Sequence, residues 1–77
     1  MNSSNWSTAL YVIELTRGTT WRHLADQIDR REYQTDNINA AIAEARHWLL
    51  RVQKEQPQRG ATHYRVVSPS GTVVGGP

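Results

Sequence analysis

The 77-residue sequence lacks cysteine entirely, so neither disulfides nor thiolate metal ligands can support its fold. It also lacks any apolar run near the roughly 18 residues that a membrane-spanning helix requires, because the early apolar stretch ends at Glu14. The charged start and the small-residue cleavage site of a signal peptide are missing too. We therefore expect a cytoplasmic protein, in a reducing compartment, without a membrane partner.

Lysine is almost absent, since Lys54 is the only lysine among nine basic residues and the others are arginine. The planar guanidinium of arginine binds carboxylates and phosphates through two parallel hydrogen bonds, which favours a role in recognition. A GC-rich genome would produce the same bias. The net charge is only +2, which is small for a protein that depends on DNA binding.

The sequence patterns of catalytic and metal sites are missing or incomplete. Glu44 and His47 form one E-x-x-H motif, whereas a di-iron bundle needs two such motifs and further glutamates. The other histidines, His23 and His63, are distant from His47 in the sequence. Neither a Gly-x-Ser-x-Gly nucleophile turn nor a glycine-rich phosphate loop occurs. We expect a protein that is not an enzyme and that uses no metal or other cofactor.

The length of the chain predicts a single domain. We expect a flexible N-terminal arm at residues 1–7, the domain at residues 8–74 and a frayed C-terminus at residues 75–77. The sequence contains no internal repeat and no low-complexity tract.

The longest periodic pattern predicts a helix over about residues 37–55. The apolar residues that recur at helical spacing are Ile38, Ala41, Ile42, Ala45, Trp48, Leu49 and Val52. Thr35, Asp36 or Asn37 can cap its first turn, and Pro57 cannot continue it.

Strands are predicted on both sides of this helix. Apolar residues on both faces favour a first strand over residues 10–15, followed by a reversal at Arg17-Gly18. After the helix, residues 62–67 and 72–74 flank a Ser-Pro-Ser-Gly sequence in which Pro69 suits the second position of a type I turn. The end of the sequence therefore predicts a hairpin.

Residues 21–31 support two predictions. Trp21, Leu24 and Ile28 recur at helical spacing, which favours a short helix. A hairpin about Arg17-Gly18, with Thr16 opposite Thr19, would instead make this segment a strand, and four strands cover one helix better than three. We predict the strand and keep the second short helix as the alternative.

Together these elements predict an α+β fold, a small antiparallel sheet packed on one main helix in the order ββαββ. Two stretches resemble small phage and bacterial ββαββ accessory proteins: Tyr33-Gln34-Thr35 leading into Ala41, Ala45 and Trp48, and the strand and turn from Arg65 to Gly71. The resemblance covers about half the chain. It implies a product of a mobile element that binds a host protein, including inhibitors of host defence such as anti-CRISPR proteins. It implies no site residues.

The function predicted from the sequence is a small non-enzymatic protein-binding module whose partner is a host or phage protein. Trp and Arg are the residues most enriched at interface hot spots, and three Trp exceed what so small a core readily encloses. The predicted partner-binding residues are Trp6, Arg22, Arg30, Arg31 and Arg51. A homodimer through a sheet edge or an exposed Trp is a variant of this prediction.

Nucleic-acid binding is the alternative function. Tyr11, Trp21 and Tyr64 would stack bases on the sheet surface. The arginines expected to surround them are Arg22, Arg30, Arg31 and Arg65.

Overall fold

The computed structural model describes residues 9–18 and 27–76. In chain order its elements are strand β1 (Ala9–Thr16), strand β2 (Gln27–Thr35), helix α1 (Ile38–Glu55), a 3₁₀ turn (Pro57–Arg59), strand β3 (His63–Val67) and strand β4 (Val73–Gly75). The four strands form one antiparallel sheet in the order β2-β1-β3-β4. With α1 packed on one face of this sheet, the predicted α+β fold of ββαββ order is confirmed. Neither described range contains a helix that is long and apolar enough to cross a bilayer.

Helix α1 begins and ends where its local sequence predicts. Asn37 is the N-cap: its backbone is extended, and its side-chain oxygen accepts a hydrogen bond from the Asn39 amide at 2.8 Å. The helix ends at Glu55, two residues before Pro57, because proline cannot supply the next amide donor.

The hydrophobic core lies between α1 and one face of the sheet. Ile13 and Leu15 of β1 and Val66 of β3 are completely buried there. The helix residues packed against them are Ala41, Ala45, Trp48, Leu49 and Val52. Because side chains alternate along a strand, the residues between these positions lie on the opposite face of the sheet, which we call the outer face.

The pairing of β1 with β2 differs from the predicted tight hairpin. Thr16 lies opposite Gln27 instead of Thr19, so the connection between the strands spans residues 17–26. This register sets Tyr11 opposite Tyr33, and both rings pack against the core. The alternation of buried side chains, rather than the local turn signal at Arg17-Gly18, therefore sets the register between β1 and β2.

The outcome for residues 21–31 is split by the limits of the described ranges. Residues 27–31 belong to strand β2, so the alternative of a second helix is wrong for them. Residues 21–26, the proposed arm at residues 1–7 and Pro77 lie outside the described residues.

The C-terminal hairpin forms as predicted. The Gly71 amide donates to the Ser68 carbonyl at 2.9 Å, which closes a four-residue turn with Pro69 at its second position. Gly71 has a φ of +91°, a conformation that glycine adopts without steric cost. Gly75, the first residue of the predicted C-terminal segment 75–77, lies in β4 opposite Val66.

Candidate partner-binding groove

Two of the five predicted partner-binding residues meet at one groove. Arg31 of β2 and Arg51 of α1 both line it. Arg30 is exposed but belongs to the outer face, since it is paired with Glu14 on that side of the sheet. Trp6 and Arg22 lie outside the described residues.

The groove runs between β2 and the C-terminal half of α1 and has a volume of about 370 Å³. Its lining is mostly polar and charged, and consists of Asp29, Arg31, Trp48, Arg51, Val52, Glu55, Gln56 and Arg59. We call it the arginine groove, after the guanidinium groups of Arg31, Arg51 and Arg59.

Arg31 is held over the indole of Trp48. Its position opposite the buried Ile13 turns it toward α1, but β2 is an edge strand and the side chain still reaches solvent. The guanidinium carbon lies 4.2 Å from the centroid of the Trp48 ring, within the range of a cation–π contact. Arg31 Nη1 also lies 3.8 Å from Glu44 Oε2, a long and solvent-exposed ion pair that contributes little to stability.

Arg59 is fixed by three acceptors at the other end of the groove. Its Nη2 donates to Asp29 Oδ2 at 3.1 Å and to the carbonyl oxygen of Ile28 at 3.2 Å. Its Nη1 donates to Gln56 Oε1 at 3.1 Å. The 3₁₀ turn that starts at Pro57 brings Arg59 to this place. These contacts pin the turn to the start of β2 and set the direction of the guanidinium.

Arg51 differs from the other two arginines. It is exposed on α1, and it makes no hydrogen bond or ion pair with any residue of the described ranges 9–18 and 27–76. Glu55, one helical turn later, lines the same groove but does not form an ion pair with Arg51. Among the three guanidinium groups of the groove, Arg51 is therefore the one that no side chain of the described ranges engages.

The arrangement directs hydrogen-bond donors and positive charge into the groove. Guanidinium groups accept no protons at neutral pH and serve as donors to carboxylate or phosphate oxygens. Among the described residues, His, Asp and Glu side chains form no cluster of three that could hold a metal ion. The groove offers oriented donors and a buried aromatic floor, without a nucleophile beside a general base.

The sequence reasoning missed Arg59, Asp29 and Trp48 as members of the site. Trp48 was assigned to the core, which is correct, because only 5% of it is exposed, but its ring also carries Arg31. Asp29 and Arg59 are 30 positions apart, and no local pattern joins them. The nearest sequence signal is Pro57-Gln-Arg-Gly60, which predicts a turn but not what the turn contacts.

The outer face carries a second set of charges. Glu14 lies opposite Arg30 on one side and Arg65 on the other. Glu14 Oε1 and Arg65 Nε are 3.2 Å apart, and only 10% of the Glu14 side chain is exposed. Arg65 therefore points away from α1 and pairs with Glu14.

The tyrosines expected to form a stacking surface are on the other side of the sheet. Tyr11 and Tyr64 share the helix face with Leu15 and pack against the core. Trp21 lies outside the described residues. Tyr11 and Tyr64 are therefore not on the outer face beside Arg30 and Arg65.

Comparisons of this chain with protein-family models, with curated proteins and with solved structures find no match.

Proposed function

We propose that this protein is a non-enzymatic protein-binding module and that its arginine groove takes an acidic segment of a partner protein. The observation that carries the proposal is the convergence of Arg31, Arg51 and Arg59 on one groove, with Arg51 free of partners in the described part of the chain. Two of these guanidinium groups are already oriented, by Trp48 and by Asp29. Orientation before binding lowers the entropy cost of forming charge-assisted hydrogen bonds.

The charges of the groove favour an anionic partner of limited size. Asp29 is neutralised by Arg59 at 3.1 Å, which leaves Glu55 as the remaining acid of the lining. A partner carboxylate placed between Arg31 and Arg51 avoids that acid, because single side chains can be positioned individually. A continuous polyanion lying along the groove would instead come close to both Asp29 and Glu55.

Trp48 also distinguishes a protein partner from a single-stranded nucleic acid. Base stacking needs an exposed aromatic face, but Trp48 is 5% exposed and is covered by Arg31. An Arg supported on an aromatic ring suits a protein interface, because the few residues that carry most of the binding free energy there are enriched in Trp, Tyr and Arg.

The resemblance to phage and bacterial ββαββ accessory proteins suggests a host protein as the partner. In that case the module acts by occupying a surface that the host protein needs, as an anti-CRISPR inhibitor does. Expression of the chain in a bacterium with an active CRISPR defence should then raise phage plaquing, and the variant Arg51→Glu should not. Equal plaquing with and without the chain would remove this assignment.

Capture from a lysate of the source cells, with and without nuclease, tests the proposed function. The chain offers a matched pair of variants, Arg51→Glu in the groove and Arg46→Glu on the same helix, about 140° away around its axis. Both replace an exposed arginine, so neither should unfold the protein. We expect the unmodified chain to capture a protein whether or not nuclease is added. Arg51→Glu should fail to capture that protein, and Arg46→Glu should still capture it.

Two results would contradict the proposed function. Loss of the captured material on nuclease treatment, with steep weakening by salt, would support nucleic-acid binding instead. Equal retention by both variants would place the contact outside the arginine groove.

A further inference from the structure

We infer that the protein pairs with a second copy of itself through the outer face of the sheet. This interaction goes beyond the proposed function and uses a different surface from the arginine groove. The contact is an apolar row defined by Leu10, Val12, Val67 and Val73.

The pairing of the strands builds this row. Val12 of β1 lies opposite Val67 of β3, and Val67 lies opposite Val73 of β4. Leu10 is two positions before Val12 and so has the same facing. The row therefore crosses three neighbouring strands on the side of the sheet that α1 does not cover.

The ends of the row are open to solvent. Leu10 is 45% exposed and Val73 is 52% exposed, and both are among the four most exposed large apolar residues of the described ranges. A contiguous apolar strip of this kind marks an interaction surface more often than an isolated exposed side chain does.

The charges beside the row favour a second copy over an acidic or basic partner. Arg30 and Arg65 lie on the outer face with Glu14 and Glu32, so two positive charges are balanced by two negative charges. A two-fold interface brings each patch against itself, which requires a self-complementary surface. A patch with no net charge meets that requirement, whereas the arginine groove, with three arginines and two acids, does not.

The first part of the β2 edge is unfavourable as an alternative route to a dimer, because two of its backbone groups are already engaged. The Ile28 carbonyl accepts from Arg59 at 3.2 Å, and the Arg30 amide donates to Asp29 Oδ1 at 2.7 Å. Edge strands that pair with another chain need these groups free. Face-to-face packing of two outer faces needs none of them.

Sedimentation equilibrium of the full chain, from low micromolar to near-millimolar concentration, tests this inference. The variants are Leu10→Asp and Val73→Asp, each of which places a charge at an exposed end of the row. The control is Leu50→Asp, since Leu50 is 55% exposed on α1. Circular dichroism verifies that each variant keeps its fold, and the use of two sites guards against failure of one.

We expect the unmodified chain and Leu50→Asp to form dimers with the same dissociation constant. Each row variant should raise that constant at least about tenfold, a loss of about 1.4 kcal/mol. A monomer at every concentration, or folded row variants that dimerise normally, would overturn the inference. If the row variants lose a captured protein partner while the unmodified chain forms no dimer, the row binds that partner instead. This result would also overturn the inference. Because these variants leave the groove intact, either result is independent of the proposed function.

Discussion

Glu14 is a buried carboxylate on a face of the sheet that α1 does not cover. Only 10% of its side chain is exposed, and Arg65 Nε lies 3.2 Å from its carboxylate oxygen. The two atoms are buried and close, yet they do not form an aligned hydrogen bond with each other. Attraction between the charges therefore offsets part of the cost of removing the carboxylate from water.

We predict that Glu14→Gln lowers the free energy of unfolding by about 1 to 3 kcal/mol, because the half-buried Arg65 loses its counter-charge. Urea denaturation followed by tryptophan fluorescence measures this. The matched control is Glu32→Gln, which changes an exposed glutamate of the same outer face and should shift stability by about 0.5 kcal/mol or less. Equal effects of the two variants would show that the Glu14–Arg65 pair does not stabilise the fold.

The position of Gly75 has no room for a side chain, because Ile42 of α1 lies directly against it. A Cβ atom added at this position would lie 2.7 Å from Ile42 Cγ1. Cγ1 is close to the helix backbone and cannot move away as the end of a long side chain would.

Gly75→Ala should therefore destabilise the protein by about 1 to 3 kcal/mol through overpacking. In an Ile42→Ala background the same change should cost much less, because the clashing atom is gone. A double-mutant cycle from denaturation curves measures the difference. Additive effects of the two substitutions would contradict this account of the contact.

At the scale of elements, the cap of α1 is a local device with a measurable effect. Asn37→Ala removes the acceptor of the Asn39 amide and should lower stability by about 1 kcal/mol. Asn39→Ala serves as the control, since Asn39 is exposed inside the helix, where alanine is the better residue, and stability should stay level or rise. Thermal unfolding monitored by circular dichroism compares them. A larger loss from Asn39→Ala would be evidence against Asn37 as the cap.

How far the sequence predicts each element depends on how local its causes are. Helix α1 was predicted closely because its cap, its apolar period and the proline after it all lie within its own segment. The turn at Pro69 and Gly71 was predicted for the same reason. Strand β2 was less predictable, because its register follows from Tyr33 packing beside Tyr11, more than 20 residues away.

At the scale of the whole molecule, the chain presents two surfaces of different character. The arginine groove lies between β2 and α1, and the apolar row lies on the outer face of the sheet. A dimer formed through the row would leave a groove open on each copy. Two linked grooves would strengthen binding to a partner that carries two acidic segments.

The sequence identified part of the groove from composition alone. The excess of arginine pointed to Arg31 and Arg51, which do line it. It could not identify Arg59 or Asp29, because the contact between them depends on the 3₁₀ turn reaching the start of β2. Arg30 was chosen on the same grounds as Arg31, yet one step along a strand places it on the outer face.

The most direct test of the central claim measures how tightly the purified partner binds three proteins: the unmodified chain, Arg51→Glu and Arg46→Glu. Isothermal titration calorimetry gives the three dissociation constants. The arginine groove predicts that Arg51→Glu weakens binding at least about tenfold, or about 1.4 kcal/mol, because it removes the available guanidinium and adds a like charge beside Glu55. Arg46→Glu should remain within about twofold, since it lies outside the groove. Equal weakening by both variants, or no weakening by Arg51→Glu, would contradict the claim that this groove holds the partner.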